Sequence, residues 1–244
     1  MGSEDSEHLL DTEIQLFTGK KTETLHGLCS AIYKMPCQEA VYLSETGFQG
    51  DEQADQRHHG GPDRALHYYP AEHYAYWQAC YPEVPHFHPS GFGENLSGIG
   101  LTEENCHVGD IFRLGEARVQ ISQPRSPCYK LNLRFDVVDL ACQMQKSGRT
   151  GWLLRVLQPG WVKPGDKLIL EAHGSTPLSL YHMNHIFFNE PLNHVGLVAM
   201  ADCAELSASW KDKVVQRLQT GWVEDWNRRL FGHALWAREP HSSL

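Results

Sequence analysis

The chain has 244 residues, of which 41% are hydrophobic and 21% charged, a composition typical of a globular protein with one large domain or one medium domain and a small appendage. Its formal net charge of -9 argues against nonspecific binding to nucleic acid or to anionic membranes. The sequence contains no run of roughly 18 apolar residues, and its acidic start, MGSEDSEHLL, is unlike an export signal, so we expect a cytoplasmic protein that does not cross a membrane.

Short β-rich runs bounded by Gly, Pro and Asp follow one another from residue 13 to residue 172. They are EIQLFTG, LCSAIYK, AVYLS, RALHYY, ARVQIS, WLLRVLQ and KLILEA. Gly-Asp precedes an apolar run twice, in HVGDIFRL and VKPGDKLIL, and such tight turns at strand entries indicate a closed or strongly curved sheet. Two helices are predicted among the strands: PAEHYAYWQACY, with Pro70 at its first position, and DVVDLACQMQKSG, with Asp136 as its N-cap. The pattern predicts a β-barrel decorated by two helices.

The composition becomes helical after EAHGSTP. Thr176-Pro177, Pro191 and Ser207 each suit a helix start, and VEDWNRRLFG extends the third helix or adds a fourth. A three-helix unit allows a helix-turn-helix interpretation, but six Lys and Arg against seven Asp and Glu from residue 177 onward do not favour a DNA-binding face. We therefore predict an N-terminal tail over residues 1–12, a barrel domain over 13–175 and a three-helix domain over 176–238.

The stretch QISQPRSPCYKLN carries the first chemical signal. The seven cysteines form no C-x-x-C pair, which favours free thiols and leaves no iron–sulfur or structural zinc quartet. Cys128 follows a predicted strand on a turn stiffened by Pro124 and Pro127, with Arg125 and Lys130 on either side. A structural cysteine is usually buried in a regular element, so this position predicts a thiol presented to a site.

Other candidate residues lie in turns. His59 and Arg64 flank the glycines of HHGGPDR, where backbone and guanidinium groups can hold an anion; the alternative is a surface turn with an ion-paired arginine. Asn95 in GENL and Lys20 in FTGK are weaker signals, and FTGK lacks the upstream glycine of a phosphate-binding P-loop. The 15 histidines show no known zinc spacing, so we expect loop and packing roles for them. Common hydrolase and dehydrogenase motifs are absent from the sequence.

Taken together, FTGK, GDEQ, HGGPDRAL, GENL and SQPRSPCYKL resemble the MOSC family, the molybdenum cofactor sulfurase C-terminal domain, and more closely its bacterial YiiM branch. The resemblance runs from about Ile14 to the C-terminus. It implies a mainly β fold with added helices, in which a MOSC-type β-barrel is followed by a small C-terminal helical bundle.

The resemblance also implies a molybdopterin-type molybdenum cofactor with Cys128 as both metal ligand and catalytic residue. The cofactor-binding residues it suggests are Lys20, His59, Arg64, Asn95, Arg125 and Cys128. The implied activity is reduction of a small N-hydroxylated substrate such as 6-hydroxylaminopurine. Because the sequence has no iron–sulfur quartet or dinucleotide fingerprint, electrons must come from a separate, flavoprotein-type reductase.

Two alternative functions stay open at this point. The protein could be a non-catalytic carrier of the cofactor or of sulfur. It could also be a regulator built on the helical domain, but the near-neutral charge of that domain counts against the regulator. Apart from the function, the oligomeric state is open, with a homodimer as one option. No nucleic-acid or membrane partner is expected.

Overall fold

The computed structural model describes residues 11–23, 27–53 and 60–232, and its main feature is a closed barrel of seven strands. The strands of the chain are β1 (Asp11–Thr18), β2 (Thr22–Glu23), β3 (Cys29–Ser30), β4 (Met35–Pro36), β5 (Val41–Ser44), β6 (Gly47–Phe48), β7 (Leu66–Pro70), β8 (Leu96–Gly98), β9 (Ile111–Leu114), β10 (Ala117–Pro124), β11 (Trp152–Gln158), β12 (Gly160–Val162) and β13 (Lys167–Ala172).

The barrel strands follow the order β13-β9-β10-β11-β7-β8-β1, and pairing of β1 with β13 closes the ring. All neighbours are antiparallel except β7 and β8. Residues alternate between the interior and the outside, as Ile14 and Leu16 of β1 do, so the apolar side chains of successive strands meet in one core. Strand β4 extends the sheet beside β1, and β12, β5 and β6 form a small separate sheet.

The helices are α1 (His73–Cys80), α2 (Lys130–Phe135), α3 (Leu140–Ser147), α4 (Leu180–Asn184), α5 (His194–Asp202), α6 (Ala208–Thr220) and α7 (Asn227–Phe231), with a 3-10 turn at Pro62–Arg64 and a π-helical turn at His185–Asn189. The C-terminal helices share a hydrophobic cluster with the barrel: Leu197, Met200 and Trp210 pack in the same cluster as the barrel residues. Helices α1 to α3 contribute to a second cluster with Tyr69 of β7. The predicted barrel with a C-terminal helical region is thus confirmed, whereas the domain limits stay predictions.

Several local predictions were wrong. Pro70 ends β7, so α1 begins only at His73. Asp136 does not begin a helix: it adopts a left-handed conformation (φ 53°) at the end of α2, a helix that the sequence did not predict, and Asp139 is the N-cap of α3. The predicted N-cap Ser207 is confirmed, and VEDWNRRLFG contains the separate helix α7. Within the described ranges, no helix combines the length and apolar character needed to cross a membrane.

Candidate functional site

Cys128 lies in a short turn between the end of a barrel strand and the start of a helix. Strand β10 ends at Pro124, and the N–H of Leu131 in α2 donates to the Cys128 carbonyl at 3.0 Å. The Arg125 N–H donates to the Gly151 carbonyl at 3.1 Å, so the start of the turn stays attached to the residue before β11. The thiol side chain is half-buried and lines a cavity, as the prediction of a presented cysteine requires.

The cavity beside Cys128 has a volume of about 640 Å³ and a wall rich in positive charge. Seven Lys and Arg side chains of the described residues line it, against three Asp and Glu side chains. The cations are Lys34, Arg64, Arg125, Lys130, Lys213, Arg228 and Arg229. The last three belong to α6 and α7, so the barrel and the C-terminal helices build the cavity together. A cationic cavity in a chain of net charge -9 is suited to an anionic ligand.

Arg125 enters the cavity from the first residue of the turn. Its Nη2 donates to the Phe92 carbonyl at 3.1 Å, whereas its buried Nη1 has no hydrogen-bond partner among the described residues. Burial lowers the pKa of Arg125, and the negative charges of Cys128 and Glu94 oppose this shift. A buried cationic N–H without an acceptor is costly, so this donor is available to a bound anion.

Arg229 reaches the same turn from helix α7. Its Nη1 donates to the Pro127 carbonyl at 2.5 Å and its Nη2 to Gln145 Oε1 at 2.6 Å, while its own carbonyl accepts the Tyr129 N–H at 2.8 Å. Burial lowers the pKa of Arg229 to about 10, and the charge of Cys128 opposes the shift. Arg229 therefore holds the residues on both sides of Cys128 and places a second guanidinium within electrostatic reach of the sulfur.

A buried carboxylate, that of Asp51, joins three of the sequence motifs. It accepts hydrogen bonds from the Gly19 N–H (2.7 Å), from Lys34 Nζ (2.5 and 2.6 Å) and from Asn95 Nδ2 (2.8 Å). These residues connect FTGK, GDEQ and GENL. A Cβ on residue 19 would lie 2.6 Å from the Tyr33 carbonyl oxygen, so glycine is required there. Burial lowers the pKa of Lys34, and Asp51 opposes the shift.

His67 of β7 lines the cavity with a neutral ring. Burial lowers its pKa well below the ordinary value, and the positive charges of Arg125 and Lys34 lower it further. Its Nε2 is buried and forms no hydrogen bond with the part of the chain that the structure describes. The main-chain N–H of His67 donates to Asn95 Oδ1 at 3.2 Å, which fixes the position of the residue. A neutral imidazole in this position can form a hydrogen bond with a bound molecule without adding charge to the cavity.

The structure brings together four of the six predicted cofactor-binding residues: Arg64, Asn95, Arg125 and Cys128 line one cavity. Lys20 does not line it; its ammonium lies 3.8 Å from Glu52, and its side chain is 67% exposed. His59 lies outside the described residues. The Asn95 amide is engaged by the protein, since it donates to the Phe17 carbonyl (3.2 Å) as well as to Asp51. Arg64 donates to Ser209 of α6 at 2.9 Å.

Among the cavity residues outside the predicted set, Lys34, His67 and Arg229 make the contacts described above. Lys34 follows a run without a recognisable motif, and Arg229 lies about a hundred residues beyond Cys128 in sequence. His67 carried a usable signal, because a polar side chain inside the apolar strand RALHYY needs a partner or a role.

Comparison with known proteins adds the family. A family model for the MOSC domain matches residues 55–169, and a model for the YiiM-like, 3-alpha helix domain matches residues 178–221. Protein YiiM of Escherichia coli (strain K12) is 44% identical over 220 residues, which cover 90% of this chain and 98% of that protein. The chain belongs to the YiiM family of MOSC-domain proteins.

Similarity to YiiM extends to solved structures. The crystal structure of YiiM from Escherichia coli matches with a TM-score of 0.79 and 39% sequence identity, and the match covers 91% of this chain and 100% of that one.

A protein named reductase from Gibberella moniliformis (strain M3125 / FGSC 7600) is 36% identical over 181 residues, which are 73% of this chain and 32% of the fungal protein. MOSC domains as a family are associated with the molybdenum cofactor.

Proposed function

We propose that this protein binds a molybdopterin-type molybdenum cofactor in the basic cavity and reduces N-hydroxylated compounds such as 6-hydroxylaminopurine. Cys128 is the proposed metal ligand and catalytic residue. The observation that carries the proposal is a half-buried cysteine in the wall of a cavity that seven Lys and Arg side chains line. Membership of a MOSC-domain family supports the cofactor, and the fungal relative named a reductase supports redox chemistry.

The residues of the cavity fit this cofactor. A thiolate sulfur suits a soft metal centre, and the guanidinium groups of Arg125 and Arg229 favour the deprotonated form of the Cys128 sulfur. The anionic phosphate of the cofactor needs cationic donors, which Arg64 and the other basic side chains of the wall supply. The buried Arg125 Nη1 and His67 Nε2, without hydrogen-bond partners among the described residues, can bond to polar atoms of a bound molecule.

The size and lining of the cavity are also compatible with a bound heterocyclic molecule. Its volume of about 640 Å³ falls within the range of small-molecule sites. Phe92 and Trp210 contribute aromatic surface to the wall, beside aliphatic side chains such as Leu28 and Ile32. We propose Arg64, Asn95, Arg125 and Cys128 as binding residues, together with Lys34, His67 and Arg229; Lys20 and His59 remain predictions.

A bound molybdenum centre would supply the two-electron redox chemistry that the removal of a hydroxylamine oxygen requires. In the overall reaction, the N-hydroxylated compound takes up two electrons and two protons and gives an amine and water. The sequence has neither an iron–sulfur quartet nor a dinucleotide fingerprint, so we propose a separate flavoprotein-type reductase as the electron donor. The chain itself would hold the anion, keep the Cys128 sulfur deprotonated and orient the substrate.

Replacement of Cys128 by serine tests the proposal directly. Serine is close to cysteine in size, but its hydroxyl is harder and far less acidic, so it is a poor ligand for molybdenum. We expect Cys128→Ser, produced in a host that makes the cofactor, to lose molybdenum and activity while its melting temperature stays close to that of the cofactor-free wild type. The measurements are molybdenum content, reduction of 6-hydroxylaminopurine by a chemically reduced viologen dye, and thermal unfolding.

Cys29→Ser is the matched control, because Cys29 is an exposed thiol that lines the same cavity. It should keep both molybdenum and activity. Full molybdenum content in Cys128→Ser would contradict the ligand assignment. Cysteine-dependent molybdenum binding without reduction of any N-hydroxylated substrate would instead favour a carrier of the cofactor or of sulfur.

A further inference from the structure

Three side chains that do not line the basic cavity meet at one end of the β9–β13 pair. Ala172 of β13 lies opposite Ile111 of β9, so Asp110, just before β9, and His173, just after β13, are neighbours in space. The turn HVGD brings His107 to the same point. One nitrogen or oxygen of each side chain of His107, Asp110 and His173 lies within 4.8 Å of the others.

The two loops that carry these side chains are packed backbone against backbone. Gly109 has a φ of 95°, and a Cβ on it would lie 2.8 Å from the Cα of Gly174. A Cβ on Gly174 would collide with the Val108 carbonyl. The absence of side chains at both positions lets the loops touch, which fixes the relative positions of the histidines and of Asp110.

Asp110 is fully buried, and its carboxylate is held by main-chain donors. Oδ2 accepts the His107 N–H at 2.8 Å, and Oδ1 accepts the Gly174 N–H at 2.9 Å. No Lys or Arg of the described ranges forms an ion pair with it; the groups that face it are His107 Nδ1 at 3.7 Å and His173 Nδ1 at 3.2 Å. A buried carboxylate without a cation is costly, so a cation is the natural complement.

His107 Nδ1 is the unexplained atom of this cluster. It is buried, it has no hydrogen-bond partner among the described residues, and its distance of 3.7 Å from Asp110 is too long for a hydrogen bond. Two imidazole nitrogens and one carboxylate are a donor set of open zinc sites, in which bond lengths of about 2.0–2.1 Å place the donors roughly 3.3 Å apart. His173 Nδ1 lies 3.2 Å from Asp110 Oδ1 and His107 Nδ1 lies 3.7 Å from Asp110 Oδ2, so each imidazole is near that spacing from a different carboxylate oxygen.

We propose that His107, Asp110 and His173 bind a divalent first-row transition metal, with zinc the best fit. The metal replaces the hydrogen bond between His173 and Asp110, and the side chain of His173, 66% exposed, leaves the fourth position open to water. The proposal does not depend on the function assigned to the basic cavity.

The place of the site in the fold suggests its effect. His173 opens the connection between the barrel and α4, and His107 forms a β-bridge with Ser179, the N-cap of that helix. A bound metal therefore fastens the start of this connection to the loop before β9, which itself contacts the N-cap of α4. Binding to the folded chain alone raises the melting temperature, because mass action favours the state that binds.

Zinc titration of the chelator-treated full chain, followed by calorimetry and thermal unfolding, tests the site. We expect one zinc equivalent to bind and to raise the melting temperature. His173→Ala, at an exposed position, should weaken this binding at least about tenfold without affecting the fold, and Asp110→Asn should act in the same direction. His88→Ala, an exposed histidine elsewhere in the chain, is the control and should bind as the wild type does.

Cobalt(II) distinguishes this site from the free cysteines. Its visible absorption should appear without the thiolate-to-cobalt charge-transfer band that cysteine ligation produces, and it should be lost in His173→Ala. The proposal is overturned if the wild type binds no zinc at micromolar concentration, if His173→Ala and Asp110→Asn bind zinc like the wild type, or if the cobalt spectrum reports thiolate ligation.

Discussion

Replacement of Lys34 by methionine tests whether the buried network of Asp51 supports the cavity. The two side chains are 6% and 5% exposed, and Lys34 Nζ lies 2.5 and 2.6 Å from the carboxylate oxygens. Methionine keeps the apolar stem but removes the charge, so a buried carboxylate is left without its cation. Removal of one partner of a buried pair costs about 3–5 kcal/mol. Because Gly19 and Asn95 still donate to Asp51, we expect the lower end, about 3 kcal/mol.

The assay is urea unfolding of the cofactor-free protein, followed by tryptophan fluorescence and circular dichroism. Lys20→Met is the matched control, since Lys20 is a nearby lysine whose ion pair with Glu52 is long (3.8 Å) and exposed. Exposed pairs of this kind contribute little, so this variant should unfold like the wild type. Coincident transitions by the two probes show whether one free energy describes the unfolding.

A loss of less than about 1 kcal/mol in Lys34→Met, the range of exposed pairs, would refute the reasoning. Equal effects of the two substitutions would do the same, because they would mean that burial of the Lys34–Asp51 pair does not set its contribution. A large loss confined to Lys34→Met would show that the buried Lys34–Asp51 pair contributes strongly to the stability of the fold.

Two further predictions concern charge near Cys128. The pKa of His67 is lowered, so below about pH 6.5 the unfolded chain binds a proton that the folded chain does not, and the free energy of unfolding should fall as the pH drops below that value. In His67→Asn this contribution, up to about 1.4 kcal/mol per pH unit, should be absent from the pH dependence. The measurement is urea unfolding between pH 7.5 and 5. An unchanged slope would contradict a neutral, buried ring. Arg229→Met should slow alkylation of Cys128 by iodoacetamide about three- to tenfold at pH 7, because the thiolate loses a nearby positive charge. The rate is measured by mass spectrometry of the modified peptide. Arg228→Met, at an exposed position of the same cavity, is the control and should have a smaller effect. Equal rates in Arg229→Met and the wild type would show that Arg229 acts only on packing.

The barrel could be predicted because its signals are local. Alternation of apolar and polar residues in EIQLFTG places Ile14 and Leu16 on one face, and turn residues mark the strand ends. Closure of the ring by β1 and β13 could not be predicted, because it joins residues about 150 positions apart. Helix α2 was also missed: its six residues are too few for a periodic pattern, and the preceding prolines indicate a turn.

The site was predictable to the extent that it is built from contiguous motifs. Cys128 and Arg125 lie on one stiffened turn, so the sequence alone was enough to propose them together. Arg229 depends on the packing of α7 against that turn, a contact across about a hundred residues. Lys20 is a different case: its motif reaches the site through the backbone of Gly19, while the lysine side chain does not line the cavity, and its role stays a prediction.

Buried acidic residues of the motifs hold the loops that position the cations of the basic cavity. Glu94 of GENL is fully buried and accepts hydrogen bonds from the Tyr74 hydroxyl (2.5 Å) and from the N–H groups of Ser90 (2.6 Å) and Phe92 (3.1 Å). It thereby shapes the loop whose Phe92 carbonyl receives Arg125. Like Asp51, it fixes the backbone that positions a cation. Substitutions of these carboxylates should therefore impair ligand binding through the shape of the loops, even though the local positive charge would increase.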